Sequence, residues 1–382
     1  MENSKFRDWT ALDYDVLGVI LNKMVSLYDY LQFSIVCKSW YFVALRHKHQ
    51  RSIITSKFPQ LPMLIVPSKD GLENQHCLYD PRKNRTRPVD FKFCFNKRCC
   101  GSSFGWLIMC EETLNLTLFN PFSGTVICLP SIFIDDEPDY APDRIVKAIL
   151  TKDPSLYPND YMVVAIYSSY SRLCLMRAND KSWTYSYPEP NIPFKDINVS
   201  SDTLYATENN MMVWKVEVKN RDDESSSISI SLKMVHAKRT NDFVVSYITE
   251  SSKGELLLVL RSISEEDSQL ETTKFKVYKL IDECENDMLR AVKLKSLDGD
   301  AMFIGDSQSI CVSTKYFPKC LPNCIYFING YYNYIPNLEQ DSGIFNLEDK
   351  RFANHYIRDP AHKNLPQPIW IIPTICSKDF ED

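Results

Sequence analysis

The sequence predicts an α+β protein with two domains, a small helical domain followed by a much larger all-β domain. Between residues 9 and 50, apolar residues recur at intervals of three or four, the spacing of one face of an α-helix. From residue 57 onward, short runs of β-branched and aromatic residues alternate with turn residues. We therefore expect a helical domain over residues 9–50 and an all-β domain over residues 57–376.

The helical segment contains starts for short helices and more apolar surface than it can bury alone. Asp13 stands at an N-cap position, where its carboxylate can accept a free backbone N–H, and Ser26 can cap a second helix. Short helices are marginally stable in water, and about 40 residues cannot enclose a large core. We therefore expect two apolar surfaces, one packed inward and one available to a partner. The stripe of the first helix comprises Leu12, Val16, Ile20 and Met24.

The residues of this segment resemble an F-box, a domain of three small helices. The resemblance lies in Asp29-Tyr-Leu-Gln-Phe33 and in the intact closing motif Val36-Cys-Lys-Ser-Trp40, which is its most specific part. The family usually begins with Leu-Pro, whereas this chain has Leu12-Asp13. An ordinary helical hairpin in front of a β domain is the alternative interpretation.

The F-box resemblance implies docking on a Skp-type adaptor, which connects the chain to a cullin and a RING protein of a ubiquitin ligase. Some apolar residues of the helices must form their inner core, and the others would contact the adaptor. The predicted docking face comprises Leu12, Leu17, Ile20, Leu21, Leu31 and Trp40. We expect some of these six residues to belong to the inner core instead.

The remainder of the chain is expected to form an antiparallel, all-β domain. Its short runs of β-branched and aromatic residues are bounded by turn residues, as in Gly105–Cys110 and Tyr161–Tyr167. No convincing amphipathic run separates them, and parallel sheets need helical crossovers. The other predicted strands include Leu61–Val66, Leu114–Phe119, Gly254–Leu260, Phe275–Leu280, Ile310–Ser313 and Cys324–Ile328.

A strand that ends in an acidic or amide residue, followed by a turn, recurs along this domain. The spacing of roughly 40 to 65 residues fits four-stranded blades of a β-propeller, and about five to seven blades would be accommodated. A β-sandwich with extensions is the alternative, because the period is irregular. In a closed propeller we expect Ile369–Ile372 to pair with Leu61–Val66 and close the ring. The recurring residues are Asp80, Asn120, Asn179, Asn220, Asp282 and Asn346.

The β domain also resembles the second half of plant F-box proteins, known as domain of unknown function 295 or the KIB1-like β-propeller. The resemblance rests on Gly105-Trp-Leu107, Asn120–Gly124, Ser296–Gly305 and Pro368–Pro373. Each piece is weak alone, but together they span nearly the whole domain. The resemblance implies a substrate receptor whose β domain presents an unknown target protein.

Composition favours an intracellular chain without a cofactor. The 382 residues carry a net charge of −5, which argues against a nucleic-acid or anionic-membrane surface. The sequence has no unbroken apolar run of membrane-spanning length and no secretory signal, and its 13 scattered cysteines are typical of reduced thiols. We expect a cytoplasmic or nuclear location, no membrane or nucleic-acid partner and no cofactor. The densest cysteine cluster lacks the C-x-x-C pairs of a zinc site, so we expect strand-core positions and no metal at Cys94, Cys99, Cys100 and Cys110.

One stretch matches a catalytic motif by its letters alone. Gly101-Ser-Ser-Phe-Gly105 fits the G-x-S-x-G nucleophile elbow, which requires a strand before Ser103 and a helix after it. Here a strand-like run follows the motif. A turn between two strands is the better interpretation, and we expect no catalytic residue.

The sequence therefore predicts a non-catalytic receptor that holds a target protein near a ubiquitin-conjugating enzyme. A protein-interaction module that has lost adaptor binding is the alternative, because the proline of Leu-Pro is missing. Aromatic residues of the β domain form either the target-binding surface or the cores of the blades; the candidates are Trp183, Tyr185, Tyr331 and Tyr332.

Overall fold

The computed structural model shows the predicted fold class, a small helical domain followed by an all-β domain, while the bounds 9–50 and 57–376 stay a prediction. It describes residues 8–24, 26–48, 50–51, 60–67, 76–89, 97–111, 113–133, 145–167, 171–186, 192–208, 212–218, 228–235, 243–266, 269–283, 288–328, 341–356 and 368–374. The predicted boundary near Lys57 lies outside these residues.

The chain begins with three short helices that follow a 3-10 turn at Trp9–Ala11; they are α1 (Tyr14–Lys23), α2 (Leu27–Ser34) and α3 (Lys38–Arg46). Asp13 caps α1 as expected, since its side chain accepts the backbone N–H of Asp15 at 2.8 Å. Ser26 occupies the N-cap of α2 without a side-chain hydrogen bond. Within the described residues, no helix is long and apolar enough to cross a membrane.

The rest of the described chain is almost entirely β-structure. The strands are β1 (Met63–Pro67), β2 (His76–Asp80), β3 (Arg85–Val89), β4 (Arg98–Ser103), β5 (Trp106–Cys110), β6 (Asn115–Asn120), β7 (Thr125–Ser131), β8 (Ile145–Leu150), β9 (Met162–Tyr167), β10 (Arg172–Arg177), β11 (Thr184–Tyr185), β12 (Asp196–Ser200), β13 (Thr203–Thr207), β14 (Val213–Val218), β15 (Ile228–Val235), β16 (Phe243–Glu250), β17 (Leu256–Glu266), β18 (Gln269–Glu283), β19 (Met288–Leu294), β20 (Asp300–Ile304), β21 (Ser309–Ser313), β22 (Cys324–Ile328), β23 (Ser342–Asn346), β24 (Phe352–Ala353) and β25 (Ile369–Ile371).

These strands form a six-bladed β-propeller in the part of the chain that the structure describes. From the centre outward, the blades are β25-β1-β2-β3, β4 to β7, β8 to β11, β12 to β15, β16 to β19 and β21-β20-β22-β23-β24. Apolar clusters lie between successive blades, including the pair formed by the first and the sixth. The predicted propeller is therefore confirmed, and its blade number falls within the expected range.

The expectation of purely antiparallel sheets is wrong at two places. β15 pairs in parallel with β19, and this short pairing joins the outer edges of the fourth and fifth blades. β20 and β22 also pair in parallel inside the sixth blade. In that blade the chain forms the β20–β21 hairpin at the centre first and then returns to add β22 on its outer side. The periodicity of side chains along a strand does not predict such a return.

The Asx-turn motif marks the turn before the outermost strand of a blade. At three positions, the side-chain oxygen accepts the backbone N–H two residues ahead at 2.8–3.0 Å; they are Asp80, Asn120 and Asn346. Asn179 lies in the equivalent turn between β10 and β11. The prediction of a turn at Asp282 is wrong, because this residue lies inside β18, where it pairs with Leu289 of β19. Asn220 lies outside the described residues.

The ring is closed by its last strand, as the sequence predicts. β25 pairs antiparallel with β1, which places Trp370 opposite Leu64. The Trp370 side chain is fully buried and its indole N–H donates to the carbonyl oxygen of Ile304 at 3.2 Å. Its ring also makes an edge-to-face contact with Phe303 at 5.1 Å. One residue thus joins the first blade to the sixth.

We expect Trp370→Ala to lower the free energy of unfolding by about 3–5 kcal/mol, because it leaves a cavity at the ring closure. Truncation after Pro366, which removes β25, should unfold the β domain. Urea denaturation followed by circular dichroism measures both effects. Leu321→Ala, at an exposed position just before β22, is the control and should cost less than about 1 kcal/mol. An unchanged melting temperature after truncation would contradict this role of β25.

Candidate functional site

Two of the six predicted docking residues lie in the interior of the helical domain. Leu17 and Leu21 are 0% and 2% exposed, and they pack with Tyr30, Phe33 and Val43. Neither side chain can reach a partner while the helices keep this packing. They serve the inner core, which corrects their assignment to the docking face.

The other four predicted residues lie between the core and the surface. Leu12, Ile20, Leu31 and Trp40 are half-buried and pack against the core. The Trp40 ring lies 4.4 Å from that of Phe33, between centroids. Because these side chains keep part of their surface exposed, they can contribute to both the core and a docking face, and their contact with an adaptor stays a prediction.

The helical domain also exposes apolar side chains that the sequence analysis did not select. They come from α1, from the turn between α2 and α3, and from α3, and the two most exposed of these positions are Val19 at 57% and Ile35 at 73%. From these we take Val16, Val19, Ile35, Val36 and Phe42 and call them the apolar patch; Tyr14 and Leu45 are exposed as well. Large exposed apolar area marks interaction sites. The sequence did contain a sign of this exposed surface, because the apolar stripe of α1 is too wide to be covered by a single small core.

Asp13 reproduces the backbone conformation of the proline that the chain lacks. Its φ is −62° and its ψ is 146°, and proline would fix φ at about −65°. Its carboxylate also caps the helix, which proline cannot do. The departure from Leu-Pro therefore leaves the start of α1 intact.

The helical domain lies at one mouth of the propeller. A cleft of 1040 Å³ separates the end of α3 from the face where the innermost strands end; it is lined by Leu45 and Arg46 and by propeller residues that include Ser103 and Glu250. Side chains of both charge signs line it, among them Lys152 and Asp202. This mixture does not single out a class of ligand.

The centre of the ring holds buried charges from different blades. Lys147 of β8 forms an ion pair with Asp196 of β12, and both side chains are almost fully buried. Asp196 also accepts the backbone N–H of Ile248 in β16 at 2.7 Å. Burial raises the pKa of Asp306, in the β20–β21 turn, to about 7. The Oδ1 atom of Asp306 has no hydrogen-bond partner among the described residues.

The G-x-S-x-G stretch forms a turn between strands, as predicted. Ser103 ends β4, and β5 begins at Trp106 where a nucleophile elbow would require a helix. The Ser103 hydroxyl oxygen is buried and accepts the backbone N–H of Leu150 at 3.2 Å. It therefore acts as a structural acceptor.

The cysteine cluster occupies strand positions. Burial raises the pKa of Cys99 and of Cys110 to about 11, so both thiols stay protonated near neutral pH. Cys100 is buried between them on β4. Cys94 lies outside the described residues, within which no group of three or more His, Cys, Asp or Glu could hold a metal ion.

The aromatic candidates that the structure describes belong to blade packing. Trp183 is buried, and its indole N–H donates to the carbonyl oxygen of Pro130 at 2.8 Å. The Tyr185 hydroxyl accepts the backbone N–H of Phe133 at 2.8 Å. Both residues therefore tie the third blade to the second. Tyr331 and Tyr332 lie outside the described residues.

A helical domain with an exposed apolar patch, followed by a six-bladed propeller, defines the F-box and propeller class of proteins. Residues 78–346 match the family model described as the KIB1-4 beta-propeller, and the chain belongs to this family.

Curated relatives from Arabidopsis thaliana extend the similarity over nearly the whole chain. F-box protein SKIP23 is 25% identical over 417 residues, which cover 95% of this chain and 95% of that protein. F-box/kelch-repeat protein KIB1 is 26% identical, with 88% and 82% covered. F-box protein KIB3 is 25% identical, with 87% and 73% covered.

The raised pKa of Asp306 predicts a pH-dependent stability. Its ordinary value is 3.8, so the folded state holds this proton more tightly than the unfolded state between about pH 4 and pH 7. The free energy of unfolding should therefore fall as the pH rises through this range. Asp306→Asn should remove that fall and make the protein more stable at pH 8, by up to about 4 kcal/mol.

Urea titrations of the wild type and of Asp306→Asn from pH 4 to pH 8 measure this effect. A parallel profile for Asp306→Asn would show that folding does not raise the pKa of this carboxyl.

Proposed function

We propose that this protein is the substrate-recognition subunit of a Skp/cullin/F-box ubiquitin ligase. The observation that carries the proposal is the apolar patch on the three-helix domain, whose core is complete without it. Relatives that cover most of the chain bear the name F-box protein, which supports the same assignment. The helices dock on a Skp-type adaptor, and the propeller binds a target protein.

The mechanism is proximity. The adaptor joins the chain to a cullin and, through it, to a RING protein that brings a loaded conjugating enzyme. Holding a target lysine beside that enzyme raises its effective concentration. The chain itself makes and breaks no covalent bond, and it acts in the cytoplasm, the nucleus or both.

The apolar patch can supply useful docking energy. Fully burying one Val, Ile or Phe side chain contributes roughly 1.5–3 kcal/mol, and the patch residues are already partly covered. Five such residues, together with the exposed parts of Leu12, Ile20, Leu31 and Trp40, offer an apolar interface centre with a polar surround.

A protein-interaction module without adaptor binding is the second candidate, favoured only by the missing proline. Asp13 keeps the φ of proline and caps α1, so this departure leaves the docking helices in place. Adaptor pulldown with the purified chain separates the two functions. A hydrolase is disfavoured by the buried Ser103, and a fluorophosphonate probe should leave that residue unlabelled.

We expect Val16→Asp combined with Val19→Asp to reduce affinity for a Skp-type adaptor at least tenfold, which corresponds to about 1.4 kcal/mol. Both side chains are exposed on one side of α1, so the substitutions place carboxylates in the docking face without emptying the core. Pulldown and isothermal titration calorimetry with the full chain measure the effect. Circular dichroism should show unchanged helix content.

The matched control is Asn22→Asp, an added negative charge at an exposed polar position of the same helix. It should bind the adaptor like the wild type. Substitutions at the buried Leu17 and Leu21 are unsuitable, because they would unfold the helices and abolish binding for that reason. Wild-type affinity in the double variant would refute docking through this side of α1.

A further inference from the structure

The outer edges of the propeller blades are protected in different ways. An outer strand exposes unpaired backbone N–H and C=O groups, and proteins usually shield such edges with charge, proline or shortness. β11 and β24 have two residues each. β15 and β19 pair with each other at one end. β3 carries Arg85, Arg87 and Pro88, and β19 also carries Arg290 and Lys293.

β7, the outer strand of the second blade, lacks this protection along most of its length. It has seven residues, and it belongs to a stretch from residue 113 to residue 134 that contains no Asp, Glu, Lys or Arg. Within the described residues, β6 is the only strand that pairs with it. Val126 is 54% exposed and Cys128 is also exposed. This edge is therefore long, uncharged and partly apolar.

The two ends of β7 are occupied by hydrogen bonds, which define the open part. The backbone N–H of Thr125 donates to the Ser123 hydroxyl at 3.2 Å. At the other end, the carbonyl oxygen of Pro130 accepts the indole N–H of Trp183. The open edge is thus Val126–Leu129, about 14 Å long.

An exposed aromatic side chain follows β7 in the sequence. Phe133 follows β7 and is 67% exposed, while its backbone N–H is fixed by the Tyr185 hydroxyl at 2.8 Å. A fixed backbone with an exposed ring provides an anchor for an apolar side chain of a partner. Phe133 follows the Leu129 end of the open edge by four residues.

We propose that Val126–Leu129 binds an extended segment of a partner protein by β-strand addition. The segment pairs through its backbone with β7, carries no charge where it faces the edge, and places an apolar side chain near Phe133. As one element of target binding, this proposal rests on the proposed function. It adds the class of partner segment and the place where it docks.

The small size of the edge argues against a second copy of the chain as its occupant. An edge about 14 Å long and about 10 Å thick offers roughly 140 Å² of contact. A stable dimer buries about 800 Å² per partner. A short peptide strand requires far less area, because its backbone hydrogen bonds supply much of the recognition.

The test is selection of nine-residue peptides from a random phage library on the full-length protein. We expect the selected peptides to share an uncharged core of alternating apolar residues. A synthetic copy of the best peptide should bind Val126→Lys at least tenfold more weakly than the wild type, because a lysine on the edge opposes strand pairing. Val126→Thr, which keeps a β-branched uncharged residue, is the matched control and should bind within about twofold.

Two further measurements locate the peptide. N-methylation of alternate peptide amides should abolish binding in one register only, as a β-ladder requires. The peptide should also slow alkylation of the exposed Cys128 thiol by N-ethylmaleimide. Equal peptide binding by Val126→Lys and Val126→Thr, or no enrichment of alternating sequences, would overturn the proposal. A wild-type dimer in sedimentation that Val126→Lys dissociates would do the same, by assigning the edge to a second copy.

Adaptor pulldown of the same variants keeps this proposal separate from the proposed function. Val126→Lys should retain the adaptor, because Val126 belongs to a propeller blade and not to the helices that carry the apolar patch. Absence of peptide binding by the wild type, with its adaptor binding intact, counts against strand addition alone. Absence of adaptor binding in the wild type counts against the ligase function, whatever the peptide does.

Discussion

The fold depends on the pairing of β25 with β1. A propeller has no single core, since its apolar clusters lie between neighbouring blades, and each blade needs two neighbours. β25 supplies the innermost strand of the first blade from the opposite end of the domain. The segment that follows it reaches the second blade, where the Asn120 amide donates to the Thr374 hydroxyl at 3.5 Å. Gly105, at φ +80°, is required there because an added Cβ would collide with Thr374.

The centre of the ring adds specificity to this closure. Lys147, Asp196 and the N–H of Ile248 come from three successive blades and satisfy one another. Buried ion pairs contribute little net stability, because desolvation offsets their attraction, but removing one partner is costly. In this ring, a blade displaced from its neighbour would leave a buried charge unpaired. Arg261 is a second buried charge with hydrogen bonds made within the protein, since its guanidinium donates to Asp341 at 2.8 Å and to Thr272 at 2.7 Å.

The sequence predicted the strands and their turns well because these are local properties. Asn120 forms its turn through atoms two and three residues away, and the side-chain alternation of a strand is visible in a single run. It could not decide which apolar residues of α1 face inward, because Leu17 and Val16 belong to stripes with the same helical spacing. The parallel pairing of β20 with β22 was equally invisible, since it depends on how a later strand returns to the sheet. The open edge of β7 is a property of strand order, which the sequence does not specify.

The two domains therefore differ in how they obtain stability. The propeller buries its apolar side chains in six interblade clusters within a closed ring. The helical domain encloses only a small core around Leu17 and Tyr30. A core of that size is marginal in a segment of about 40 residues. A ligand that binds only the folded state stabilises it by mass action. An adaptor that covers the apolar patch would therefore stabilise the helices that bind it.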